Sequence, residues 1–146
     1  FSHASAIKRC LDFKNLKVVS FGIRNLSKSE MNFYNNNKDR IEIFWAKDKK
    51  DWDLERLNNL FKNKQVYITF DVDGFDASIM PATGTPEPGG LLWDEVLPII
   101  KRVCQISNIV GADINELAPI KKFDSYNFLV AKLAYKILAY SFEFKH

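Results

Sequence analysis

The chain has 146 residues and a mass of 16.9 kDa, the size of one domain or a large part of one. Hydrophobic residues make up 47%, enough for a packed core and an argument against intrinsic disorder. The 21 Lys+Arg against 18 Asp+Glu leave a net charge of +3, scattered along the chain, which does not describe a nucleic-acid-binding surface. No apolar run approaches the roughly 20 residues needed to span a bilayer, and no signal-peptide pattern opens the sequence. A cytoplasmic globular protein without nucleic-acid or membrane partners is expected. Cys10 and Cys104 form no CxxC pair, and each is expected as a buried small hydrophobe in a helix. The first residue is Phe1 and the first methionine Met31, so the sequence reads as a piece of something longer.

In chain order, residues 2–12 have helical composition, with Ala6, Cys10 and Ile7 toward one side. Lys17 to Gly22 is a β-branched and aromatic run, hence a buried strand. Ser27 and Glu30 have capping-box spacing and open a helix that dissolves in Asn35-Asn36-Asn37. Residues 41–46 read as a second strand. Asp51 is placed to cap a helix whose face carries Leu54, Leu57, Leu60 and Phe61. Residues 65–72, QVYITFDV, are the most strand-like run. After a Pro/Gly-rich loop, Val96, Ile99, Ile100 and Val103 mark an amphipathic helix that Pro98 should kink or tighten. Residues 108–114 are another strand, and Asp124 is placed to cap a last long helix. Strands alternating with helices, and apolar on both faces, predict an α/β domain with a mainly parallel sheet covered on both sides. In such sheets, sites form beyond the carboxyl ends of the strands.

The strand at 65–72 runs into Asp71-Val72-Asp73-Gly74-Phe75-Asp76. Residues i and i+2 of a strand face the same way, so Asp71 and Asp73 are expected to present two carboxylates together. Two like charges that close resist joint ionisation unless a cation or strong donors lie between them. Hard oxygen ligands of this kind suit Mg²⁺, Mn²⁺ or Ca²⁺, and Gly74 is expected to let the chain turn sharply. A bland alternative is a pair of strand-end acids that cap a turn. A different chemistry also fits the letters FDVDG, because haloacid-dehalogenase-like phosphatases carry DxDG after an apolar strand. Phe75 stands where that pattern has threonine, and no downstream acidic pair completes it.

The longer stretch Phe70 to Gly90, FDVDGFDASIMPATGTPEPGG, resembles the ureohydrolase family of arginases and agmatinases. That family has a DxDxxD strand end, a P-x-T-G-T-P loop and a closing Gly-Gly. Ser2-His3-Ala4 looks like the SHA segment of agmatinases, and Gly22-Ile23-Arg24 like their GIR strand end. Gly111 to Pro119 looks like the late strand that brings in a glutamate. The resemblance covers essentially the whole chain, 1–146, as the C-terminal part of a single ureohydrolase domain. Ala77 departs from it, where the family often has proline.

The resemblance implies a three-layer α/β/α fold and a binuclear Mn²⁺ centre that hydrolyses a guanidinium group to urea plus an amine. It implies that Asp71 bridges two metal ions, that Asp73 ligates one, and that Glu116 pairs with the guanidinium. His3 matches a histidine proposed to shuttle a proton near the leaving group, a task suited to imidazole. His146 matches nothing and reads as a tail residue. Asp76, Thr83 and Thr85 are expected to hold the loop, and Asp113 either supports Glu116 or ends its strand. Agmatine, hydrolysed to putrescine in polyamine biosynthesis, is the expected substrate, because Ala4-Ser5-Ala6 offers few polar groups for an amino-acid zwitterion. Arginine, guanidinobutyrate and formiminoglutamate are the alternatives, and a homo-oligomer is implied for the complete protein. The family's GGDH-like and DAHxD-like motifs, which carry the other metal ligands, occur nowhere in these 146 residues. A non-catalytic fragment or binding module is therefore the reading of another class.

Overall fold

A computed structural model describes residues 6–145, which divide between Lys50 and Asp51 into two compact units. In the first unit, a short helix α1 (Ala6–Cys10) precedes strand β1 (Val18–Ile23), helix α2 (Lys28–Asn35) and strand β2 (Ile41–Trp45). β1 and β2 pair in parallel from Val18 opposite Ile41 to Phe21 opposite Phe44. The register slips at Gly22, whose φ of 78° is one that only glycine adopts without steric cost. Phe21 and Phe44 stack at 4.6 Å. The capping box is present: the Glu30 amide donates to the Ser27 hydroxyl at 3.2 Å, and the Ser27 amide to the Glu30 carboxylate at 2.7 Å. The sequence did not suggest the role of Arg40. Its guanidinium donates to the carbonyls of Leu11, Phe13 and Leu16 and so fastens the turn after α1.

The second unit runs helix α3 (Arg56–Phe61), strand β3 (Gln65–Asp71), helix α4 (Trp93–Ile106), strand β4 (Asn108–Asn115) and helix α5 (Asp124–Glu143). β3 and β4 pair in parallel, with Thr69 opposite Asp113 and Asp71 opposite Asn115. The crossover between them carries α4, as parallel pairing requires. The core is Leu57, Val72, Phe75, Met80, Val96, Ile100, Cys104, Leu133 and Ile137, each at most 6% exposed. Both pairs are parallel and joined through helices, the α/β class expected.

Several local expectations are corrected. Cys104 is buried as expected, but Cys10 is exposed and Leu11 takes the inward position of α1. Asp51 does not cap α3. A 3-10 segment, Ala46–Asp51, intervenes, and the Asp53 carboxylate accepts the Glu55 amide instead. Asp124 is the first residue of α5, not its cap. Pro98 sits inside α4, whose start is held by the Leu92 amide donating to the Glu95 carboxylate at 2.8 Å. The second pair of strands is not apolar on both faces: alternate residues of β3 are exposed, Tyr67 at 59%. Among the described residues, no helix is long and apolar enough to cross a membrane.

Candidate active site

The strand β3 stops at Asp71, and Val72–Gly74 form one 3-10 turn. Asp71 caps that turn, its carboxylate accepting the Asp73 amide at 3.2 Å. Asp73 is therefore not a second strand residue facing the same way. The turn brings the two carboxylates together, because Val72 is driven fully into the core between them. Phe75, 1% exposed, anchors the far side of the turn against Phe70 and Trp93. Gly74 has neither a positive φ nor any atom within 4 Å of where a Cβ would sit. The steric demand falls on Gly90, where a Cβ would lie 2.6 Å from the Phe75 carbonyl and the Asp76 amide.

Asp76 organises the loop. It accepts from the Ser78 amide (2.9 Å) and hydroxyl (2.5 Å), and from the amides of Gly89 (2.7 Å) and Gly90 (3.1 Å). These donors, Ser78 foremost, hold its carboxyl down at about 2. The Ala77 amide donates to the Glu87 carbonyl at 3.3 Å, a bond that proline could not make. Thr85 donates its hydroxyl to Asp73 at 3.1 Å. Thr83 pairs with Leu117 in an antiparallel bridge, and the Ala118 amide donates to the Ala82 carbonyl at 2.9 Å. The loop is thus laid against the segment that follows β4.

Glu116 comes directly after β4 and has a φ of 65°. A left-handed backbone at a residue with a Cβ costs on the order of 1 kcal/mol. Here it turns the Glu116 carboxylate off the strand direction and beside Gly84, where a Cβ would be 3.8 Å from it. Its charge reaches Asp71. Desolvation first, then the charges of Asp73 and Glu116, push the Asp71 carboxyl up to about 6. Asp71 and Asp73 thus adjoin at the end of β3, and Glu116, just past the end of β4, is near enough for its charge to act on Asp71. His3 and His146 lie outside the described residues.

The donors at Asp71 and Asp73 are hard oxygens, suited to a divalent cation such as Mn²⁺. A cation there would offset both the desolvation and the like charges that raise Asp71. Two carboxylates are only part of a ligand set. Among the described residues, no three His, Cys, Asp or Glu side chains form a group that could hold a metal ion.

Sequence reasoning did not reach Thr69 and Asn115. Both donate to Asp113, Thr69 at 2.7 Å, and so link the two strands beneath the carboxylates. The i, i+2 spacing of Asp113 and Asn115 was visible, but the register that sets Thr69 opposite Asp113 was not.

Comparison with known proteins identifies the family. The sequence matches the Arginase family over residues 1–140. It is 37% identical to an N(1)-aminopropylagmatine ureohydrolase of Synechocystis sp., over 95% of this chain and 45% of that protein. It is 30% identical to an agmatinase of Pyrococcus horikoshii, over 97% of this chain and 48% of that protein. The crystal structure of an agmatine ureohydrolase of Thermoplasma volcanium superposes with a TM-score of 0.79 at 32% identity, over 95% of this chain and 47% of that one. The chain spans about half the length of the curated relatives it matches. A match over so much of the chain sets aside the five-residue likeness to dehalogenase-type phosphatases: this chain belongs to the arginase family.

Proposed function

We propose that this chain supplies the strand-end carboxylates of a ureohydrolase that splits a guanidinium group into urea and an amine. The observation that carries the reading is the meeting of Asp71, Asp73 and Glu116 under the Pro/Gly-rich loop. A planar guanidinium needs a carboxylate partner, and Glu116 is the one set apart from the strand-end pair. Asp71 and Asp73 would hold Mn²⁺ together with ligands that lie outside these 146 residues, two ions in the complete protein. Bound there, such ions supply an acidified water and polarise the group under attack. Thr85 keeps Asp73 oriented, and His3 is assigned proton transfer near the leaving amine.

Agmatine is the proposed substrate. The relatives named for agmatine or N(1)-aminopropylagmatine support a guanidine on an amine chain over an amino acid, as does the Ala4-Ser5-Ala6 segment with its few polar groups. A cytoplasmic homo-oligomer is the proposed setting. The test is urea release by the complete protein with Mn²⁺, from agmatine, N(1)-aminopropylagmatine, arginine and guanidinobutyrate. The highest kcat/KM on agmatine is expected. A preference for arginine would replace the substrate, and no urea from any guanidine would overturn the reading.

A further inference from the structure

The geometry points to Asp113 as a positioning residue for Glu116, acting through Asn115; the inference rests on the function proposed above. One oxygen of the Asp113 carboxylate accepts both the Thr69 hydroxyl, at 2.7 Å, and the Asn115 amide group. The Asn115 amide group also reaches the Thr69 hydroxyl at 3.4 Å. Thr69 lies opposite Asp113, and Asp71 opposite Asn115. Residues i and i+2 share a face, so Thr69, Asp113 and Asn115 form a polar patch on one face of the two strands, with Thr69 and Asp113 one step below Asp71 and Asn115 level with it. The Tyr67 phenol, two residues further down the same face, is held above its usual range by Asp113. Asp113 is half-buried and touches none of the proposed ligand or substrate groups.

The patch sits where position matters. β3 ends at Asp71 and β4 at Asn115, and the next residue, Glu116, is left-handed with a φ of 65°. Asn115 must stay extended for Glu116 to leave the strand at that angle. Asp113 holds the Asn115 side chain down and ties it across to β3, so it fixes the end of β4 relative to the strand that carries Asp71. Removing it leaves the Asn115 side chain only its longer contact with Thr69, and Glu116 can then relax toward an ordinary backbone that aims its carboxylate elsewhere.

The test uses the complete protein with Mn²⁺ and agmatine. Asp113→Ala and Asn115→Ala should each raise KM by about tenfold or more, with a smaller change in kcat, since a misplaced binding group loses affinity before it loses chemistry. Manganese content, measured by elemental analysis, should stay at the wild-type value. Asp113→Asn keeps an acceptor oxygen at the same place and should return KM to within about twofold of wild type. If Asp113→Ala does not fold, Asn115→Ala carries the same test from an exposed position. Unchanged KM in the alanine variants, or loss of manganese in step with activity, would overturn the role. Should the wild-type protein release no urea, the proposed function fails by itself. A crystal structure of the alanine variant then decides the positioning role: residue 116 departing from a φ near 65° supports it, and residue 116 unmoved refutes it.

Discussion

The Thr85 hydroxyl donates to the Asp73 carboxylate at 3.1 Å, so a loop residue orients an acid in the turn that follows β3, twelve positions earlier. The Pro/Gly-rich loop is therefore part of the carboxylate site and not only a cover for it. Removing the hydroxyl by Thr85→Val should weaken manganese binding by about tenfold, the scale on which supporting hydrogen bonds act on ligands. Asp71→Asn and Asp73→Asn remove a charged oxygen outright and should abolish most manganese binding and urea release by the complete protein. Elemental analysis and a urea assay at saturating Mn²⁺ check all three, and wild-type values in any variant would cancel that residue's assignment.

Glu116→Gln separates the substrate from the metal. The side chain keeps its size and loses its charge, so manganese content should hold while kcat/KM for agmatine falls by about 10- to 100-fold, the worth of one charge-assisted contact. A metal loss equal to that of Asp71→Asn would move Glu116 among the ligands.

Asp71 gives the metal-free protein a distinctive pH response. Its folded carboxyl is raised from 3.8 to about 6 by desolvation and by the charges of Asp73 and Glu116. The native state therefore holds the proton more tightly than the unfolded chain, and stability falls as pH rises from about 4 to about 6. Asp71→Asn should flatten that fall and raise Tm at pH 7 in the absence of metal. Thermal unfolding across this window checks it. Identical slopes for the two proteins would show that Asp71 carries no such penalty.

Asp76 works in the opposite direction. Its carboxyl is lowered to about 2 by Ser78 and by the Gly89 and Gly90 amides, so the stability it contributes is present above about 4 and is lost as pH falls toward 2. Asp76→Ala strips these amides of their acceptor and should cost about 1–2 kcal/mol at neutral pH, as loss of a capping acceptor does. Denaturant unfolding measures it. A variant as stable as wild type would mean that the loop holds its shape without Asp76.

Gly90 and Gly111 should respond differently to the same substitution. A Cβ at Gly90 meets backbone of Phe75 and Asp76 at 2.6 Å, which has nowhere to go, and Gly90→Ala should cost about 1–3 kcal/mol or more. A Cβ at Gly111 meets the Tyr67 ring at 2.7 Å, and that ring is 59% exposed and can swing away. Gly111→Ala should therefore be much milder, and milder still beside Tyr67→Ser. Equal losses from the two would contradict this contrast.

Patterns that act within a few residues were legible in the sequence. The Ser27–Glu30 box, the strand expected at 65–72 and the apolar spacing of α4 each depend on local periodicity or local hydrogen bonding; the box and α4 lie where they were expected, and the strand ends one residue early, at Asp71. Asp71 and Asp73 could be singled out by their spacing at a strand end, and Glu116 only through the family resemblance. The tertiary structure decided how those residues meet. Core burial of Val72 turns Asp73 off the strand, the register of β3 on β4 sets Thr69 against Asp113, and the pairing of Thr83 with Leu117 brings Gly84 beside a left-handed Glu116. None of these could be read in one dimension, because each joins residues distant in sequence through packing that only the folded chain provides.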